Sequence, residues 1–377
     1  MRASLAGPLA FATPGWLRSG AAAWHGSVAS CQNENVSDLE RRLAAYLTPR
    51  LPGASRVEVS GLERIHGGAS RETSRFVLRF ERDGALLERR LILRRDPPGS
   101  LIETDRRVEF AAYRAFHGSA VPVPEALWLE EDPAPLDHPF FIMEELTGLE
   151  SSFQALLTPH FLPLRPKLGR RKWTILGEIA KADPEKLGLV GPMPPVAPDE
   201  CWKRELAHWE RVLDEDELEP QPITRAVIRW LRRHPPPPAQ KLSVVHADYR
   251  TGNFLFDATG EIRAILDWEM AHLGDPLEDL AWGINPVWQW SRDGLAGSLL
   301  PKAEAIRIWE ESSGLSADSD ALRWWELFSC VKGQGIWVSG GREYQHGANH
   351  DPVLGLSSWM MGNAQDRAAL ALLGHLA

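Results

Sequence analysis

Val244-Val245-His246-Ala247-Asp248-Tyr249-Arg250-Thr251-Gly252-Asn253, followed by Ile265-Leu266-Asp267-Trp268-Glu269, is the stretch on which the reading of this chain turns. The apolar run Leu242 to Val245 reads as a buried strand that delivers His246 and Asp248 to a loop. Asn253 follows five residues after Asp248, and a second short strand, Ile262 to Leu266, delivers Asp267. Thr259-Gly260 between them predicts a hairpin that brings Asn253 and Asp267 together.

Phosphoryl transfer needs such a set. One carboxylate orients the acceptor hydroxyl and takes its proton, while a separate carboxylate and a carboxamide hold Mg²⁺ against the phosphates. Asp248 fits the first role. Asn253 and Asp267 fit the second, and Glu269 adds a further oxygen ligand from the same strand end.

His246-Ala247-Asp248-x₄-Asn253 with Leu266-Asp267-Trp268-Glu269 resembles the catalytic and metal-binding motifs of the aminoglycoside phosphotransferase and choline kinase superfamily. His272-Leu273-Gly274-Asp275-Pro276-x₂-Asp279-Leu280-Ala281-Trp282 is especially similar to the kinase-like domain fused to some acyl-CoA dehydrogenases. The resemblance covers roughly residues 55 to 285. It implies an α+β, protein-kinase-like fold in two lobes, with a small antiparallel sheet and one helix ahead of a larger helical part. It implies ATP or GTP and Mg²⁺ as cofactors, and a small-molecule hydroxyl as acceptor.

The N-terminal half carries the parts this resemblance requires. Val57 and Val59, then Phe76, Leu78 and Phe80, recur at alternate positions as strands, and Asp83-Gly84 predicts a hairpin into Leu91-Ile92-Leu93. Gly67, Gly68 and Ser70 lie where a phosphate-covering turn belongs. Arg94 stands where the family has lysine, keeping the charge on a longer, forked side chain. Its implied partner is Glu109, in a helix predicted over 104–116. Alternation puts Ile92 and Arg94 on one face of their strand and Arg95 on the other, as a surface charge or a ligand. Met143-Glu144-Glu145-Leu146 resembles the hinge, where backbone groups near Glu144 and Leu146 receive adenine.

Other residues have plainer readings. His246 packs and bonds the loop backbone, and Asp279 braces that loop from a helix start. Asp275 before Pro276 suits a turn or cap. His272 joining Asp248 and Asp267 in a metallohydrolase site is the weaker alternative, because Mg²⁺ chemistry prefers oxygen. The basic run Arg165 to Lys172 reads as a solvated face, with an anion clamp as its functional alternative. The 16 tryptophans read as packing between helices, or else as an aromatic acceptor pocket.

The flanks and composition set the division. Residues 1–36 have no acid before Glu34 and read as a disordered tail, a targeting-like segment or a misplaced start. Ser37 with Glu40 suggests a capping box, so structure is expected from Ser37. The expected lobes are 37–145 and 146–377. The chain has 377 residues and a net charge of -9, which argues against nucleic acid as a partner. Cys31, Cys201 and Cys330 are widely spaced, as suits reduced thiols in a cytoplasmic protein, and no apolar run is long enough for a membrane span. Two other functions share the fold: a catalytically silent pseudokinase, and a macrolide or aminoglycoside phosphotransferase.

Overall fold

The computed structural model describes residues 36–65, 72–96, 105–291, 293–347 and 352–376. The readings of residues 1–35 and of Gly67, Gly68 and Ser70 lie outside the described residues.

The fold is α+β. Strands β1 (Ala54–Ile65), β2 (Glu72–Arg82), β3 (Ala85–Arg95), β4 (Ala126–Glu130) and β5 (Phe140–Glu144) form an antiparallel sheet in the order β1-β2-β3-β5-β4. Asp83 and Gly84 make the two-residue β2–β3 turn with both φ positive, 53° and 76°, which matches strand twist. Period-two alternation gives the sheet two different faces. Leu91 and Leu93 join Phe76, Leu78 and Phe80 under helix α1 (Val36–Leu47), against Leu43 and Tyr46. Ile92 joins the opposite cluster, with Tyr113 and Phe116 of α2 (Arg106–Phe116).

Two local expectations change. Helix α1 already includes Ser37, and Glu40 accepts the β1 amide of Leu62 at 3.0 Å, so it ties helix to sheet instead of closing a capping box. Helix α2 starts at Arg106 behind Asp105, whose carboxylate accepts the Arg107 N–H at 2.8 Å.

Beyond the sheet the chain is mainly helical: α3 (Arg165–Lys181), α4 (Cys201–Asp216), α5 (Pro222–Arg233), α6 (Leu277–Ile284), α7 (Lys302–Ser313), α8 (Ser319–Gln345) and α9 (Pro352–Leu372). Two small antiparallel pairs sit among them. Strand β6 (Ser243–Val245) pairs with β9 (His272–Gly274), and β7 (Phe254–Phe256) with β8 (Ile262–Ile265). The tryptophans are mostly core: Trp173, Trp268, Trp282, Trp309, Trp324 and Trp325 are fully buried.

The basic run is a solvated face only in part: Arg170 is exposed, while the two ends of the run are buried. Arg165 is buried on the Ser298 carbonyl and Asp293, and Lys167 pairs with Glu261 at 2.7 Å. Lys172 is buried beside the Trp173 ring. Arg95 is not a surface charge either. It is buried, bonding Glu72 at 2.8 Å and the Leu136 carbonyl at 3.2 Å.

Candidate active site

Strand β6 ends at Val245, and the chain then turns sharply through His246-Ala247-Asp248. Ala247 has φ +68°, a left-handed conformation that an alanine adopts only under constraint. The constraint is Asp279, in the first turn of α6. Its two carboxylate oxygens accept the buried N–H groups of His246 at 2.6 Å and Ala247 at 2.8 Å. His246 completes the loop: Nε2 donates to the Leu266 carbonyl at 2.9 Å and Nδ1 accepts the Asp248 N–H at 3.2 Å. Both ring nitrogens are spent on backbone, so His246 is structural.

Asp248 is held by three donors. Asn253 Nδ2 lies 2.6 Å from Oδ2, Trp282 Nε1 2.9 Å from Oδ1, and Arg250 Nε 3.1 Å from Oδ1. The side chain keeps 16% exposure, so it is fixed yet reachable. Trp282 and Arg250 were not singled out for this in the sequence, although both lie inside the quoted motifs.

The β7–β8 hairpin brings the second acid in. Phe254 pairs with Ile265, and the Leu266 N–H donates to the Asn253 carbonyl at 2.9 Å, which puts Asp267 next to Asn253. Asp267 lies just past β8 with φ +69°, held there by its N–H donating to the Tyr113 hydroxyl at 3.0 Å. Burial works to raise its carboxyl pKa, but Arg94 and Arg250 outweigh it and hold Asp267 below the usual range.

Arg94 reaches across from β3. Its guanidinium lies 3.1 Å from Glu109, 3.1 Å from Asp267 and 3.9 Å from Glu269. Burial disfavours the charge, and Glu109 and Asp267 more than restore it, so Arg94 stays protonated. Arg94 of β3 and Glu109 of α2 therefore form a buried ion pair.

A cleft of about 450 Å³ opens beside this cation, between the sheet and the hairpin. Ile65, Ile92, Met143, Leu255 and Leu266 give it apolar walls, and Glu144 and Leu146 form one edge. The Glu144 N–H is already spent on the Glu125 carbonyl at 2.9 Å. Among the described residues the Leu146 N–H carries no backbone hydrogen bond.

A second cavity of about 490 Å³ lies on the far side of Glu269, lined by Ala247, Glu205, Arg204, His272 and Lys332 among others. His272 does not join Asp248 or Asp267. It bonds Glu278 at 3.1 Å and lies 3.6 Å from Glu205; burial opposes its charge, but the two carboxylates push its pKa up to about 9.

Residues 61–337 match the model of the phosphotransferase enzyme family, and the chain belongs to that family. Among curated proteins it is similar to acyl-CoA dehydrogenase family member 10 of Mus musculus, 29% identical over 206 residues, covering 52% of this chain and 18% of that protein. The chain spans about a third or less of the length of the curated relatives it matches. In fold it is similar to a provisionally named aminoglycoside phosphotransferase from Ralstonia eutropha, with TM-score 0.65 and 21% identity over 88% of this chain and 98% of that one. It is also similar to a thermostable mutant of aminoglycoside phosphotransferase APH(4)-Ia in ternary complex with ADP and hygromycin B. There the TM-score is 0.51, with 19% identity over 86% of this chain and 98% of that one.

Proposed function

We propose that this member of the phosphotransferase enzyme family transfers the γ-phosphoryl group of ATP to a hydroxyl of a small molecule. The observation that carries the reading is the convergence of Asp248, Asn253, Asp267 and the Arg94–Glu109 pair beside one cleft. In this reading adenine lies in the 450 Å³ cleft against the Leu146 N–H, with the phosphates running toward Arg94. The sheet part, residues 37–145, covers the nucleotide, and residues 146–377 carry the catalytic loop.

Asp248 accepts the hydroxyl proton as the acceptor oxygen bonds to the γ-phosphorus and the bond to the β–γ bridging oxygen breaks, releasing ADP. Trp282 and Arg250 hold the carboxylate in position. The donors around Asp267 fit Mg²⁺, being all oxygen. Because the Asn253 amide nitrogen is committed to Asp248, its carboxamide oxygen is left for a cation beside Asp267 and Glu269. Bound there, Mg²⁺ supplies charge neutralisation on the phosphates. The similarity to acyl-CoA dehydrogenase family members supports a hydroxyacyl or lipid-like acceptor.

One observation favours a second reading. The Arg94 guanidinium sits on Asp267, the carboxylate assigned to the cation, as it would in a silent nucleotide-binding pseudokinase. ATP consumption across hydroxylated acyl compounds, amino alcohols and antibiotics separates the two, with Asp248→Ala as control. Acceptor-dependent turnover that vanishes in the variant supports catalysis; nucleotide binding without turnover on any acceptor supports the pseudokinase.

A further inference from the structure

We propose that Glu205, His272 and Glu278 form a transition-metal site opening on the 490 Å³ cavity, separate from the Asn253–Asp267 pair. The inference does not depend on the phosphotransfer reading. Three elements supply the donors: α4 gives Glu205, β9 gives His272 and α6 gives Glu278. Their ligand atoms lie within 4.8 Å of one another, with His272 Nε2 3.1 Å from Glu278 Oε2 and 3.6 Å from Glu205 Oε1. An ion about 2.1 Å from each of two donors sets those donors roughly 3.0–3.4 Å apart in octahedral or tetrahedral geometry. The two separations from His272 Nε2 are close to such edges.

The surroundings orient each donor. His272 Nδ1 lies 3.1 Å from the Met270 carbonyl, which takes its proton and turns Nε2 toward the carboxylates. Lys332 Nζ holds the other oxygen of Glu278, Oε1, at 2.9 Å and leaves Oε2 to the site. Arg204 Nε donates to Glu205 Oε1 at 2.8 Å, so the oxygen that faces His272 is oriented by the guanidinium and would be shared between it and the ion. Glu278 is 1% exposed, so the carboxylate is not a solvated surface acid.

The donor set selects the ion. One imidazole with two carboxylates suits Zn²⁺, Mn²⁺, Fe²⁺ or Co²⁺ better than Mg²⁺, which demands oxygen. Glu205 and His272 face the cavity, which leaves coordination positions open to water or a ligand oxygen. Since Lys332 and Arg204 already balance the two carboxylates, a bound divalent ion presents net positive charge there. An anionic group, a carboxylate or a phosphate, is the matching ligand, with Glu269 and Asp105 on the same wall limiting its approach.

The competing account is a metal-free ion-pair network in which a proton on His272 bridges the carboxylates. Cobalt distinguishes them, because its visible d–d absorption shifts when protein ligands replace water in its coordination sphere. The test uses full-length protein stripped with chelator, with Asp267→Asn removing the other cation site. We expect one equivalent of Co²⁺ with a visible band, retained in Asp267→Asn and weakened at least tenfold in both His272→Asn and Glu205→Gln. Glu205→Gln keeps shape and decides the matter if His272→Asn fails to fold. The proposal is overturned if wild type takes up no Co²⁺ at about 100 μM, if uptake is unchanged in the folded variant, or if Asp267→Asn alone abolishes it.

Discussion

Arg94 is the residue on which the two halves of the site meet, since it touches Glu109 on one side and Asp267 on the other. Removing a buried ion-pair partner typically costs about 3–5 kcal/mol. Arg94→Ala is therefore expected to lower the denaturant midpoint strongly, whereas Arg94→Lys keeps the charge and most of the stability. Urea unfolding of the two variants checks this. Asp248→Asn should leave nucleotide affinity near wild type and cut kcat by about 10²–10⁴, the usual worth of a general base; steady-state kinetics decides it. Lys172 offers a pH test. Burial, helped by Arg250, lowers its pKa to about 7, while the unfolded chain keeps the ordinary value near 10.5. Between those values the unfolded state holds one more proton, so this residue makes the protein more stable as pH rises from 7 toward 10.5. Lys172→Met should consequently stabilise most at or below pH 7, with the gain shrinking toward pH 10 in parallel melts.

At the scale of elements, the catalytic loop depends on the start of α6. Asp279→Ala leaves the buried amides of His246 and Ala247 unpaired, at roughly 1–3 kcal/mol each. A fall in melting temperature with loss of activity is expected; an unchanged melt would mean that the loop holds its left-handed turn without the brace. This part of the site was legible in the sequence because its members are close along the chain. Asp248 lies in the loop that leads into a tight hairpin, Asn253 and Asp267 flank that hairpin's two short strands, and the Asp83-Gly84 turn likewise set the sheet's alternation. Partners brought from far away were not legible. Nothing local to Arg95 announces Glu72 or Leu136, and nothing near Ser37 says that Glu40 will bond a strand. Lys172 resembles its solvated neighbours in charge, and only the packing of α3 buries it. His272, Glu205 and Glu278 come from three separated segments, so their meeting is a property of the fold alone.

On the scale of the molecule, the sheet has one face under α1 and the other over α2 and the hairpin, and the cleft lies where that second face meets the helical part. A ligand bound there touches both parts, so it should stabilise the whole chain by mass action, reaching about 2.7 kcal/mol at a hundred times Kd. The central claim is that Asn253 and Asp267 hold a divalent cation against a nucleotide in this cleft. Calorimetric titration with a non-hydrolysable ATP analogue, with and without Mg²⁺, tests it without needing the acceptor. The account predicts that Mg²⁺ tightens binding at least tenfold in wild type and has no effect in Asp267→Asn. Equal affinity with and without Mg²⁺ in wild type, or undiminished Mg²⁺ dependence in Asp267→Asn, would contradict it.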